Sequence, residues 1–468
     1  MLKPLIALIV LAFAGAATAQ GFSPSEVAQT DAIVAAALKS TGTPSASVAV
    51  VRGDKIVFAK AYGRQSTTGA PPRIDAAYPI GSISKQFTAA AILILAEEGK
   101  LSLDDPVAKY VPGVTKGETI TIRQILSHTA GVQDYWPQDY APPFMREAVT
   151  PRQIVDRWAG KALDFEPGTQ QQYSNTGYVI AGMIVEQVAG ESLQAFRTQH
   201  IFQPLGMHVP TAESIYAAGF PTPFERFALG SPRPATPLAP GWVFAAGDLA
   251  MSASDLALWD IARIDRAVLP TRVWAAQETP VGLTNGTVTH YGLGVGVSER
   301  KGRRFVEHSG GVIGFTSENI VYPRDRDAVV VFVNADFGDA PRTIADRISD
   351  EILFPAPAAR RAAGDPAALE LAKSVYRQLQ SGALDRSRLT DDANAYFDAE
   401  AIADYRSSLE PLGQPLSFTQ EGAASLRGGL VTREYVVAYP EQKLQIVVRA
   451  EDNPAGKLEQ FLVFPTSD

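Results

Sequence analysis

Gly81-Ser82-Ile83-Ser84-Lys85-Gln86-Phe87 opens a run of strong helix formers, Thr88-Ala89-Ala90-Ala91-Ile92-Leu93-Ile94-Leu95-Ala96-Glu97-Glu98, which Gly99 is placed to end. The run is apolar on almost every face, so the spacing predicts a buried helix. Ser82 and Lys85 are three residues apart, and one helical turn sets them on the same face. At the mouth of such a helix, free backbone N–H groups and the positive dipole end favour an oxyanion and disfavour a protonated lysine. Ser82 is therefore a candidate nucleophile and Lys85 a candidate base. Taken alone, the same serine reads equally well as a helix cap. A second Ser-x-x-Lys, Ser298-Glu299-Arg300-Lys301, lies between strand-like runs and reads as a hairpin tip. It lacks the helical context of Ser82.

The length of 468 residues suggests two or three domains. A net charge of −8 argues against a nucleic-acid surface, which is usually basic. Met1 to Ala19 reads as a signal peptide: Lys3, an apolar run from Leu5 to Ala14, then Ala17-Thr18-Ala19 as a small-x-small cleavage site. The expectation is a secreted or periplasmic protein with no membrane span after cleavage. There is no cysteine, so disulfides and thiol chemistry are excluded. The five histidines are scattered without ligand spacing, and neither a metal nor a cofactor is expected.

Ser23 to Lys39 predicts a surface helix, and Ser45 to Ala61 two strands joined at Arg52-Gly53-Asp54-Lys55. The Arg-Gly-Asp triplet there is ordinary turn chemistry rather than an adhesion motif. His128 follows a short helical stretch, as a possible acid or base or as a residue fixing the turn. Tyr135, Trp136, Tyr140 and Phe144 lie in a Pro-rich loop, where they line a pocket mouth or cover the core. Tyr173-Ser174-Asn175 precedes a helix carrying Ile180, Met183, Ile184 and Val188 on one face and ending at Gly190. Tyr173 could shuttle a proton; Asn175 could hold a carbonyl or a lysine, or simply cap the helix. Six prolines between residues 221 and 240 predict an irregular loop. Another helix starts within Ala245 to Trp259, with Ser254 or Asp255 near its cap.

Strands are expected at Tyr291 to Val297, Arg304 to His308, Ser317 to Tyr322 and Ala328 to Asn334, with a closing helix at Ala340 to Leu353. Small residues in His308-Ser309-Gly310-Gly311 would let this strand approach a ligand closely. One sheet built from both ends of the segment, with a helical insertion between, satisfies the order. A cleft between them would collect Ser82, Tyr173 and His308. Residues 355–366 read as a linker. A small α+β domain then spans 367–468, with helices at Ala367 to Leu379 and near Ala399 to Leu409. Its strands are expected at Leu416 to Gln420, Leu430 to Ala438, Leu444 to Ala450 and Leu458 to Phe464.

Ser82-Ile83-Ser84-Lys85, Tyr173-Ser174-Asn175 and His308-Ser309-Gly310 occur in the order and rough spacing of the penicillin-recognising serine hydrolases. That family includes class C β-lactamases, D-alanyl-D-alanine carboxypeptidases, D-aminopeptidases and related esterases. The resemblance covers Ser23 to Phe354. It implies an α/β (α+β) fold of the β-lactamase/transpeptidase type, mainly antiparallel sheet flanked by helices. It implies an acyl-enzyme on Ser82, with Lys85 and Tyr173 moving the proton and Asn175 orienting Lys85 and the substrate. The backbone N–H groups of Ser82 and Gly311 would form an oxyanion hole, with Ser309 and Gly310 contacting a small-molecule or peptide substrate. His308 matches a position that is usually lysine in β-lactamases, so the third motif resembles the carboxypeptidase and D-aminopeptidase branch more closely. A non-catalytic sensor or binding module is the competing reading; completeness of the motif set argues against it. In element order the C-terminal domain resembles small nuclear-transport-factor-like domains. The sequence says nothing of oligomeric state.

Overall fold

The computed structural model describes residues 21–210, 220–355, 366–427, 430–451 and 456–466. The signal-peptide segment, and the linker apart from its end residues, lie outside the described residues.

Ser23 starts helix α1 (Pro24–Thr41) through a reciprocal cap: its hydroxyl accepts from the Glu26 amide, and the Glu26 carboxylate accepts from the Ser23 amide. Strands β1 (Ser45–Arg52) and β2 (Lys55–Gly63) follow, joined at the Gly53-Asp54 turn as the sequence predicts. Four later strands complete the sheet: β3 (Gly296–Arg300), β4 (Arg303–Val312), β5 (Phe315–Tyr322) and β6 (Asp327–Val333). Every pairing is antiparallel and the spatial order is β2-β1-β6-β5-β4-β3. Alternation along β1 serves both faces. Ala46, Val48 and Val50 pack toward α1 and helix α5 (Ala340–Arg347), while Ala49 and Val51 face the helical insertion.

The insertion holds α2 (Ser84–Glu97), α3 (Asn175–Ala189) and α4 (Ala253–Asp265). All residues from Ser84 to Leu95 are buried, as an all-round apolar helix requires. Gly190, in the left-handed region at φ 74°, ends α3. The N-cap of helix α4 is Ser252, two residues before Ser254; Asp255, the other residue expected near the cap, completes the reciprocal cap.

Two strand expectations are corrected. Tyr291 to Val297 does not form a strand throughout; β3 begins only at Gly296. Gly294, at φ 82°, turns the chain there, and the Gly292 amide bonds the Val295 carbonyl. The hairpin tip is not Ser298 to Lys301 but Lys301-Gly302, both at positive φ, as a two-residue turn between twisted strands requires. Ser298 stands inside β3, paired with Phe305.

The C-terminal segment forms helices α6 (Pro366–Ser381), α7 (Asp391–Tyr396) and α8 (Ala399–Leu409). They pack on an antiparallel meander of β7 (Ser417–Arg427), β8 (Leu430–Ala438), β9 (Lys443–Glu451) and β10 (Leu458–Pro465). The unit docks on the aromatic loop: the Asp139 amide donates to Gln460 Oε1 at 2.7 Å, and Arg449 pairs with Asp139 at 2.7 Å. It also meets the Pro-rich loop, where Arg233 pairs with Glu400 and Asp404.

Candidate active site

Ser82 sits on a short 3₁₀ turn, Gly81–Ile83, that runs directly into α2. Gly81 has φ 50°, and a Cβ there would stand 2.7 Å from the Gly311 amide nitrogen. A Cβ at Gly310 would overlap the Ile80 carbonyl oxygen. The serine turn and strand β4 therefore meet backbone to backbone, which only glycines allow. Gly310 is small chiefly to fit Ile80 rather than to admit a ligand. Gly311 has nothing within 4 Å of where a Cβ would lie. The β3 register ends at the Gly296–Glu307 pair, so β4 continues beyond that partner as it reaches His308 to Gly311 along the cleft.

Lys85 is fully buried, and its Nζ lies 2.9 Å from Ser82 Oγ, 2.8 Å from Asn175 Oδ1 and 2.8 Å from the Ala246 carbonyl. The last two groups can only accept. They take two N–H bonds, and a neutral amine then has its lone pair left for the Ser82 hydroxyl. The Ala246 carbonyl is held in place by its neighbours. The Ala245 carbonyl accepts from Thr88 Oγ1, the Leu249 amide donates to Ser84 Oγ, and Asp248 pairs with buried Arg197 at 2.5 Å.

Asn175 is the first residue of α3, not its cap; Ser174 is the cap, accepting from the Gly177 amide at 3.2 Å. The Asn175 side chain is free to turn inward, and its Nδ2 donates to Asp134 Oδ1 at 3.2 Å and Oδ2 at 3.3 Å. Asp134 Oδ1 also accepts from the Asn175 and Trp136 amides, both at 3.1 Å. These bonds fix which end of the amide faces Lys85.

Tyr173 packs its ring 4.8 Å from Lys85 Nζ and 4.2 Å from the His128 ring. His128 has φ 60°, and its Nδ1 accepts from the Ser174 amide at 3.2 Å. It fixes the turn that carries Tyr173, rather than reaching Ser82 itself. Tyr135 and Trp136 line the cleft, while Phe144 packs on Trp158 and Trp242. Each of the two readings of the aromatic loop thus describes part of it.

His308 is buried, with Nδ1 2.6 Å from the Ser309 carbonyl and Nε2 2.8 Å from the Tyr291 hydroxyl. Since the carbonyl only accepts, Nδ1 carries the proton and Nε2 accepts from Tyr291. Burial lowers the His308 pKa to about 3, and Lys85, when protonated, pushes in the same direction. Burial likewise pushes the Tyr291 hydroxyl well above its ordinary range, so it remains a donor. Ser82, Tyr173, Asn175, His308, Ser309, Gly310 and Gly311 all line one cleft of about 500 Å³.

The family model described as Beta-lactamase matches residues 30–354. This chain belongs to the β-lactamase family. Penicillin-binding protein 4* of Bacillus subtilis (strain 168) is 29% identical over 329 residues, covering 66% of this chain and 72% of that protein. A D-stereospecific amidohydrolase from Streptomyces sp. superposes with a TM-score of 0.61 at 27% identity, over 71% of this chain and 100% of that one. The octameric penicillin-binding protein homologue from Pyrococcus abyssi has a TM-score of 0.61 at 21% identity, over 94% of this chain and 99% of that one. That fold likeness extends into the C-terminal unit. The chain is a β-lactamase-related serine hydrolase with the β-lactamase/transpeptidase-like fold.

Within this β-lactamase-family site, Asp134, the Ala246 carbonyl and Tyr291 go beyond the residues singled out from the sequence. A lone carboxylate among the aromatic residues of Val132 to Trp136 was the one available signal for Asp134. The far end of the cleft is acidic, with Glu318, Asp336 and Asp339. Burial raises the Glu318 carboxyl to about 8 and Asp336 to about 7.

Proposed function

We propose that this protein is an exported hydrolase that cleaves amide, peptide or ester bonds through an acyl-enzyme on Ser82. It stands nearer the carboxypeptidase, D-aminopeptidase and esterase branch than true β-lactamases. The observation that carries the reading is Lys85, buried and bonded to Ser82, Asn175 and the Ala246 carbonyl at once. Ser82 Oγ attacks the substrate carbonyl while its proton passes to the Lys85–Tyr173 pair. The backbone N–H groups of Ser82 and Gly311 hold the oxyanion, each contributing about 3–4 kcal/mol of barrier lowering. Collapse expels the amine or alcohol, which takes the proton back. Water then attacks the acyl carbon and frees Ser82. Export is supported by the sequence pattern of Met1 to Ala19.

Electrostatics support the branch. A β-lactam carboxylate needs a cation, and His308 is neutral at physiological pH. Among the described residues lining the cleft, the cation is Arg342. It is already engaged by Glu307 at 2.6 Å, Asp346 at 3.1 Å and Glu318 at 3.7 Å. A cleft whose lining cation is already paired, and whose Glu318 is held toward the neutral acid by burial, suits a neutral amide or ester, in keeping with the likeness to the D-stereospecific amidohydrolase.

Intact mass after incubation with a fluorophosphonate, and separately with a penicillin, tests this on wild type and Ser82→Ala. The expected result is a Ser82-dependent fluorophosphonate adduct, with the penicillin either forming a slow-clearing Ser82 adduct or not reacting, and in neither case being turned over efficiently. Labelling that survives Ser82→Ala would refute the nucleophile. Rapid Ser82-dependent hydrolysis of the penicillin would refute the branch.

A further inference from the structure

A second cavity, of about 330 Å³, lies where the C-terminal unit meets the aromatic and Pro-rich loops. It adjoins the cleft: Asp139, Ile313, Asp336 and Phe464 line both. Its other walls are largely rings. Tyr140 packs 4.6 Å from Tyr396, Phe227 meets Tyr396 edge-on at 5.4 Å, and Phe337 closes one side.

These walls are pinned before any ligand arrives. Gln460 makes two bonds to Asp139, accepting from its amide at 2.7 Å and donating to its carboxylate at 3.1 Å. Tyr140 donates to Glu459 Oε1 at 3.2 Å. Several polar groups of the lining are committed to the protein, but Arg226 stacks on Phe337 at 4.3 Å and its buried Nε and Nη2 have no hydrogen-bond partner among the described residues. Arg146 donates to the Thr236 carbonyl at 3.0 Å, Asp398 accepts from the Ala401 amide at 2.8 Å, and Asp139 is paired with Arg449. Glu225 is held toward its neutral form by burial. The recognition surface is then aromatic faces and edges together with the Arg226 guanidinium stacked on Phe337, which also favours a π-face.

We infer that this cavity is a distal substrate subsite that takes an aryl or aryl-alkyl group at the end of the substrate remote from the reacting carbonyl. Its volume falls within the range of small-molecule pockets, about 300–1,000 Å³. Offset and edge-to-face ring contacts reward an aromatic guest beyond simple burial. Phe464, on β10, stands between the two spaces, so the C-terminal unit sets the reach of the site. The inference rests on the reading of the cleft as the reacting centre.

The test separates the two. Calorimetric titration of Ser82→Ala protein, which holds the cleft but cannot turn over, compares hexanamide with 6-phenylhexanamide. The phenyl compound should bind about tenfold tighter or more. Adding Ala395→Trp or, independently, Ala141→Trp places an indole in the cavity and should remove that gain in each. No gain from the phenyl group, or a gain that survives both fillings, would overturn the inference. Acetyl-ester turnover by wild type, lost in Ser82→Ala, reads the acyl-enzyme separately. Failure of wild-type turnover would count against the acyl-enzyme alone, because the binding comparison does not depend on it.

Discussion

Replacing Asp134 probes how the site is held. Asp134 Oδ1 accepts from three N–H groups, the Asn175 amide, Asn175 Nδ2 and the Trp136 amide, at 3.1, 3.2 and 3.1 Å. All three donors are buried. Asp134→Ala leaves them without this acceptor, at about 1–3 kcal/mol each. Water entering the vacated space recovers part of this, so the expected loss is about 4 kcal/mol. Asp134→Asn keeps one oxygen as a neutral acceptor of about half the strength, for a loss of about 2 kcal/mol. Activity should fall further than stability suggests. Freed to rotate, Asn175 no longer presents Oδ1 to Lys85, and a displacement of about 1 Å at reacting groups costs on the order of 100-fold in rate. Urea denaturation and ester hydrolysis measure the two effects on the same preparations. The Ala variant should lose kcat with little change in KM, and Asn should lie between Ala and wild type. An Ala variant within about 1 kcal/mol of wild type and within about threefold in kcat would refute the reasoning.

Gly310→Ala should destabilise by about 3 kcal/mol or more, because its Cβ meets the rigid Ile80 backbone, and it should displace Ser82; Gly311→Ala should fold normally. Thermal melts of the pair check this, and equal melting points would refute it. His308 should show no NMR titration between pH 5 and 8, its signal being assigned by its loss in His308→Gln; a midpoint above 6 would contradict the buried neutral ring. The sign for stability follows. The folded pKa lies below the unfolded value of about 6.5, so unfolding takes up a proton. The stabilisation is full above that value and is lost as pH falls toward and through about 3. Tyr291→Phe removes the donor to His308 Nε2, should cost about 1–3 kcal/mol in urea denaturation, and should raise the His308 midpoint. An unchanged midpoint would count against the assigned tautomer.

The Ser82–Lys85 pair was legible because its geometry is local: three residues on a helix bring side chains together whatever else the chain does. The decoy at Ser298 fails for the same kind of reason. Ser298 stands on strand β3 and Lys301 in the turn that ends it, so no helical turn brings the two side chains together. Tyr173, Asn175 and His308 were legible only as an ordered set, since nothing local in Tyr-Ser-Asn or His-Ser-Gly announces what they will face. Asp134 was not legible as a partner of Asn175, because a contact across 41 residues leaves no local pattern. The Tyr291 error arose because an apolar run hid two glycines whose positions break a strand. Strand β7 runs to Arg427, well past the expected Gln420. Glu421 to Ser425 are polar or small and show no alternation, and pairing with β8 rather than side-chain pattern extends it. The shape of the cleft is set by loops from both units, which carry no periodicity to read.

The central pairing of the sheet has a kinetic consequence. Strand β1 pairs on one side with its neighbour β2 but on the other with β6, where Ala46 lies opposite Val333. Nearly the whole hydrolase region must be synthesised before that second partner exists. Closing so long a loop costs entropy before any contact rewards it, which places this topology among slow folders. Until then the β1–β2 hairpin presents an unpaired, valine-rich edge, the kind of surface that associates with other chains. Pulse-labelled hydrogen exchange during refolding should find the β1 amides facing β6 protected late, together with those of β6. Early protection of those amides would mean that the hairpin is sheltered by some other contact first.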